Sequence, residues 1–174
     1  MGGKDLVWGL NSSGYIYRYD PATKVWDQVV GTLSQISVAS DGTIVGLNAG
    51  ELYFFEPILQ QFIGIPGVIG APPLSQVVAG FGAAVFAVDT SGNAYQFDVL
   101  NQQLKTIRGT LTEIAVGSTY SVYGVNSAQV AYEFSTTTGL WTELPGAALT
   151  QIAVSPDGTV WGLSSAGLIY NLQP

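Results

Sequence analysis

Apolar residues in this chain recur in short alternating runs, each closed by a glycine-bearing turn, and the runs repeat as a block. Five segments superpose: Val7-Trp8-Gly9-Leu10-Asn11, Ile44-Val45-Gly46-Leu47-Asn48, Val85-Phe86-Ala87-Val88-Asp89, Val122-Tyr123-Gly124-Val125-Asn126 and Val160-Trp161-Gly162-Leu163-Ser164. Measured from Trp8 through Val45, Phe86, Tyr123 and Trp161, the steps are 37, 41, 37 and 38 residues, the spacing of propeller blades. Extra loop residues around Gly70-Ala71-Pro72-Pro73 account for the longer step. Each segment is followed by a turn and an aromatic strand carrying Tyr17, Tyr53, Tyr95, Tyr132 or Tyr170 in one register. Two residues on, and so on the same strand face, stand Tyr19, Phe55, Phe97, Phe134 and Leu172.

Each unit reads as four strands, a to d. Strand a is short and small-sided, as in Gln35-Ile36-Ser37-Val38 and Gln151-Ile152-Ala153-Val154, which suits the crowded innermost position of a blade. Asp41-Gly42 and Asp157-Gly158 supply the tight hairpin from a to b. The b–c turn carries Asn or Asp with glycine three residues on, a side chain that can bond its own backbone followed by a left-handed position. The c–d turn uses Asp20-Pro21 and Glu56-Pro57, and strand d carries Trp26, Phe62, Leu104 or Trp141 near the outer edge. No segment keeps a helical period. A four-stranded sheet with two apolar faces cannot cover both alone, whereas copies stacked around an axis cover each other. A linear β-solenoid would need shorter coils, so the chain is expected to be an all-β propeller of four-stranded antiparallel blades.

The count is uneven. Strands b, c and d come first, then three whole units, then a, b and c, making eighteen strands in one domain over residues 1–174 with breaks near 34, 75, 112 and 150. Eighteen does not divide by four. A five-bladed ring with incomplete first and last members is the expectation; association of copies that completes the deficient blades is the alternative, and the two are compatible. The mismatch also suggests a truncated, permuted or redesigned chain.

Composition narrows the partners. Hydrophobic residues are 47% and charged residues 10% of 174, so most strands are expected to be covered on both faces. The formal charge is −7, and the five cations, Lys4, Arg18, Lys24, Lys105 and Arg108, are scattered. Nucleic acid and anionic membrane both require clustered cations and are not expected partners. No apolar run approaches a membrane span, and Met1-Gly2-Gly3-Lys4-Asp5 enters a strand pattern without a signal-peptide core. A cytoplasmic or non-classically secreted location is expected.

The chain holds no histidine and no cysteine, which removes imidazole bases, thiol nucleophiles and most transition-metal sites. A carboxylate pair is the remaining catalytic device. However, Asp20, Asp41, Asp89, Asp98 and Asp157 stand where turns need them. No serine lies in a G-x-S-x-G elbow, and no calcium loop appears. Neither enzyme, cofactor nor metal is expected. The recurring tyrosines read as packing. The four tryptophans, Trp8, Trp26, Trp141 and Trp161, are less uniform, and the outer strand would leave Trp26 and Trp141 partly exposed. Aromatic faces beside amides are how proteins hold sugars, the ring stacking on C–H groups while polar atoms fix hydroxyls. Asn11, Asn48, Asp89 and Asn126, with the rings of Trp8, Trp26, Trp141 and Trp161, are therefore the candidate sugar-binding residues, and sites repeated by blade would act through avidity.

The composite pattern Trp-Gly-Leu/Val-Asn, x-x-Gly-x-Ile-Tyr, a Trp strand, then Gly-x-Leu-x-x-Ile-Ala-Val-x-x-Asp-Gly-Thr-Val-Trp-Gly resembles the tectonin repeat. It shows best over Val7 to Thr43 and Val122 to Ile169 and covers nearly the whole chain. The resemblance implies a β-propeller lectin with several equivalent sites, akin to fungal, slime-mould and animal defence lectins. Their ligands include methylated glycans and bacterial lipopolysaccharide. Val45 and Phe62 in the second unit, Phe86 and Leu104 in the third, and Gln129 at a turn-glycine position in the fourth depart from the pattern.

Overall fold

The computed structural model describes residues 6–66, 72–146 and 148–172. Residues 1–5, with Lys4, and the Gly70-Ala71 part of the long loop lie outside them. No helix occurs among the described residues, and so none crosses a membrane.

Among the described residues, eighteen strands form five antiparallel meanders. Sheet I holds β1 (Trp8–Leu10), β2 (Tyr15–Asp20) and β3 (Val25–Thr32). Sheet II holds β4 (Gln35–Val38), β5 (Ile44–Asn48), β6 (Glu51–Glu56) and β7 (Gln61–Ile65). Sheet III holds β8 (Leu74–Gly80), β9 (Ala84–Asp89), β10 (Asn93–Asp98) and β11 (Gln103–Thr110). Sheet IV holds β12 (Glu113–Ser118), β13 (Ser121–Val125), β14 (Ala131–Ser135) and β15 (Leu140–Glu143), and sheet V holds β16 (Gln151–Val154), β17 (Val160–Leu163) and β18 (Ile169–Asn171). The fold is a β-propeller of five blades. Among the described residues, sheet I shows strands b, c and d without an innermost strand a, and sheet V strands a, b and c without an outermost strand d.

Turn chemistry sets the meander. Gly14 (φ 78°) and Gly92 (φ 86°) take the left-handed place in the b–c turn, and Gln129 occupies the same place at φ 65°. The departure at Gln129 thus changes the residue and keeps the conformation. In the c–d turn the carboxylates cap backbone: Asp20 accepts from the Ala22 N–H at 2.8 Å, and Asp98 from Leu100 at 3.0 Å.

Four joints hold five sheets. The position of Trp8 in β1 faces forward onto the next sheet, and the Tyr-x-aromatic pair of strand c faces back. Trp8 meets Phe55 edge-on with centroids 4.8 Å apart, Phe54 meets Phe97 at 4.6 Å, and Phe86 meets Phe134 at 6.0 Å. Each joint buries its own apolar cluster; Phe86, Val88, Ile114 and Phe134 belong to the joint between III and IV. A leucine from the d–a linker completes three of the joints. Leu33, Leu111 and Leu149 are buried and lie against Gly46, Gly124 and Gly162, where a Cβ would stand 2.4–2.6 Å from a leucine methyl. Glycine at these three positions is therefore a packing requirement, whereas a Cβ on Gly9 would meet only the Trp26 ring at 3.6 Å. In sheet III, Ala87 takes this place.

A polar ladder ties the inner strands together. The Gln35 side chain accepts from the Val77 N–H at 2.8 Å, and Ser37 Oγ from the Ala79 N–H at 3.0 Å. Gln76 accepts from the Ile114 N–H at 2.9 Å and donates to its carbonyl at 3.1 Å. Glu113 accepts from Ile152; burial holds its carboxyl above the usual range, against the pull of that N–H. Packing runs from β1 through β4, β8 and β12 to β16. Among the described residues, no strand of sheet I packs on sheet V to the same extent.

Candidate functional site

The five inner edges surround a central cavity of about 660 Å³, lined by Val7, Val38, Val78, Glu113, Ala115 and Val154 among others. Its polar side chains Gln76, Ser37 and Glu113 are already engaged in the inter-sheet ladder. That leaves the two ends of the blades. One end carries the b–c turns, the other the a–b hairpins and c–d turns.

The b–c end holds the amides and carboxylate singled out by the sequence. A groove of about 570 Å³ lies there between sheets III and IV, lined by Ser75, Asp89, Thr90, Ser91, Thr110, Thr112 and Ser127, with no aromatic side chain. Asp89 is 1% exposed. One carboxylate oxygen accepts from the N–H of Ser91 and Asn93, the other from Asn93 Nδ2 at 2.8 Å and Tyr95 Oη at 2.7 Å. Four donors fill its acceptor sites. Burial opposes the charge, but the bonds from Asn93 and Tyr95 outweigh it and hold the carboxyl below its ordinary value. The Tyr95 hydroxyl is pushed up to about 12 by burial and by that same carboxylate.

Asn11 Oδ1 accepts from Ser13 and Tyr15, and Asn126 Oδ1 from Ala128 and Val130. Asn48 opens a two-residue turn in which Ala49 (φ 50°) and Gly50 (φ 81°) are both left-handed. Three of these four groups therefore hold turns through the bonds expected to meet a sugar.

The tryptophans divide into two pairs. Trp8 and Trp141 lie in joints with their Nε1 atoms buried and unpartnered, Trp141 against Phe134 at 4.9 Å and over Gly109. Trp141 is partly exposed, as expected of the outer strand, and its ring lies over the Gly109 backbone. Trp26 and Trp161 are each 48% exposed. They stand on the outward faces of sheets I and V, away from the turn amides.

The opposite end shows a recurring groove that the sequence reading missed. On sheet IV it is about 220 Å³, lined by Tyr120, Glu133, Phe134, Ser135, Thr136, Thr137 and Thr142. On sheet III it is about 300 Å³, lined by Ala83, Gln96, Phe97, Asp98, Val99 and Lys105 among others. Residue for residue the two correspond at the blade step of 37: Ala83 to Tyr120, Gln96 to Glu133, Asp98 to Ser135 and Lys105 to Thr142. Tyr120 is 78% exposed in the a–b hairpin. One Glu133 oxygen accepts from Tyr123 Oη at 3.2 Å. Ser135 Oγ accepts from the Thr138 N–H, which orders the hydroxyl rim. The available signal was Tyr120 itself, an aromatic at a turn where the aligned positions hold Gly42, Ala83 and Gly158.

Among the described residues, no group of three or more acidic side chains is placed to hold a metal ion. The Tectonin domain profile matches residues 2–61 and 73–174. No curated protein matches the chain by sequence. Among solved structures, a streptogramin B lyase is similar with a TM-score of 0.69 and 14% identity, over 98% of this chain and 66% of that one. The selenomethionine-substituted virginiamycin B lyase from Staphylococcus aureus is similar with a TM-score of 0.67 and 9% identity, over 97% of this chain and 69% of that one. The chain thus spans about two thirds of each lyase, and at such identity the likeness is one of fold.

Proposed function

The chain belongs to the Tectonin domain family, and from that premise we propose that it is a carbohydrate-binding module whose glycan grooves lie at the a–b hairpin end. The observation that carries this reading is the groove beside Tyr120, an exposed ring over a carboxylate and a rim of serine and threonine hydroxyls. A ring of this kind stacks on the C–H face of a sugar, and the polar rim fixes its hydroxyls. O-methyl groups would enlarge the apolar surface offered to the ring, so methylated glycans are the favoured class. The matching groove on sheet III offers Gln96, Asp98 and Lys105, and its one ring, Phe97, is buried. Two unequal grooves on one rigid body support avidity for multivalent surfaces.

On this reading the protein binds and does not catalyse. With no histidine or cysteine it has neither imidazole nor thiol to offer, and the lyase activity in the neighbours' names is theirs. A second reading, a scaffold without its own ligand, is favoured by the turn duty of Asn11, Asp89 and Asn126.

A glycan array that includes O-methylated sugars separates the two. Wild type is expected to bind, Tyr120→Ala to lose about 2- to 10-fold per site through lost stacking, and Ser127→Ala at the other end to bind as wild type. Silence across the array overturns the lectin reading, and undiminished binding by Tyr120→Ala removes the groove.

A further inference from the structure

The five sheets form four joints, and the two faces left over match the two halves of a fifth. The forward face of a sheet presents the Trp8 position and the first apolar residue of strand c. In sheets II to IV the former is Val45, Phe86 and Tyr123, all at most 7% exposed. In sheet V it is Trp161, 48% exposed. The latter is Ile16, Leu52, Ala94 and Ala131 in sheets I to IV, all at most 4% exposed, and Ile169 in sheet V, 72% exposed.

The backward face repeats this in mirror. Phe55 and Phe62 receive Trp8, whereas their counterparts in sheet I, Tyr19 and Trp26, stack only on each other at 5.3 Å. The polar ladder ends in the same way. Gln35, Gln76 and Glu113 each reach the backbone of the following sheet, and Gln151, next in the series, is exposed.

We propose that the chain self-associates head to tail, the sheet V face of one copy packing on the sheet I face of a second. The occupant follows from continuity with the four joints inside the chain. What a forward face receives there is the Tyr-x-aromatic face of a tectonin blade, and a second copy of this chain presents one uncovered. Trp161 then takes the role of Trp8, and Tyr19 and Trp26 take those of Phe55 and Phe62. The joint uses different patches on the two partners, so it is heterologous and either closes a ring or extends.

The test is mass in solution across concentration, by sedimentation and light scattering, for wild type, Trp161→Glu, Trp26→Glu and an equimolar mixture of the two variants. Far-UV circular dichroism checks that each variant folds. Wild type is expected above the 18.3 kDa monomer and to grow with concentration, each variant to be monomeric, and the mixture to give a dimer and nothing larger. The mixture has one intact forward face and one intact backward face. A wild type that stays monomeric overturns the proposal, including by closing sheet V on its own sheet I. So do assembly that survives either substitution and a mixture that fails to pair.

Discussion

Replacing Gly124 by alanine adds one methyl group at the seat of Leu111. The added Cβ would stand 2.6 and 2.8 Å from the two Leu111 methyls and 3.2 Å from Cγ. Leu111 is 4% exposed and packed in the joint cluster with Phe86, Val88 and Ile114, so it has no open rotamer to take. Overpacking of this kind costs about 1–3 kcal/mol. Alanine gives back about 0.4–1 kcal/mol by restricting the unfolded chain, because Gly124 is not in the left-handed region. The net expectation is a loss of about 1–2 kcal/mol, or a Tm lower by about 2–8 °C for a chain of this length. Leu111→Ala alone should cost about 2–5 kcal/mol through the cavity it leaves. In that background the same glycine change has room, and its effect should reverse to neutral or stabilising, a coupling of about 1 kcal/mol or more. Urea unfolding followed by far-UV circular dichroism at one fixed protein concentration reads all four proteins. If Gly124→Ala costs the same with and without Leu111, the leucine is not what demands the glycine.

Three further outcomes are expected. Asp89→Asn should lose about 2–3 kcal/mol at pH 7, since an amide cannot accept from all four donors. Because its folded carboxyl titrates below the ordinary value, the wild-type advantage is complete above about pH 4 and vanishes as pH falls through the folded value; pH-dependent melts of both proteins check this. Glu113→Gln should raise the Tm at pH 7 and leave it unchanged in acid, because the Glu113 carboxyl titrates above its usual range and the folded state favours its neutral form. An equal shift at both pH values would contradict that. Gly117→Ala should be the most damaging glycine change in the joint between sheets IV and V, with its Cβ aimed at the Ser155 carbonyl oxygen. A melt within about 2 °C of wild type, under 1 kcal/mol here, would show that the two sheets separate at little cost.

Much of the fold was legible because the repeat imposes local rules. The five strand-b segments, Gly42 and Gly158 in their hairpins, and the unequal end sheets all follow from spacing and turn chemistry. The site was less legible for a physical reason. Asn11, Asp89 and Asn126 have the right chemistry for sugars, but a short polar side chain that opens a tight b–c turn bonds its own backbone first. Trp141 is partly exposed, as an outermost strand d implies, but its seat over Gly109 at φ 124° draws the ring into the joint. Sequence spacing does not carry that contact. Tyr120, by contrast, stood in plain view as a bulky residue at a hairpin tip.

The ladder between inner strands has a consequence for how such chains change over generations. Gln35 and Gln76 grip main-chain amides of the next sheet, and main chain looks alike whatever its side chains are. A unit inserted or deleted whole therefore meets a neighbour that already offers the right handle, and substitutions on the gripped strand leave the grip intact. Copy number can drift in steps of one blade while groove residues diversify independently, as Ala83 and Tyr120 have.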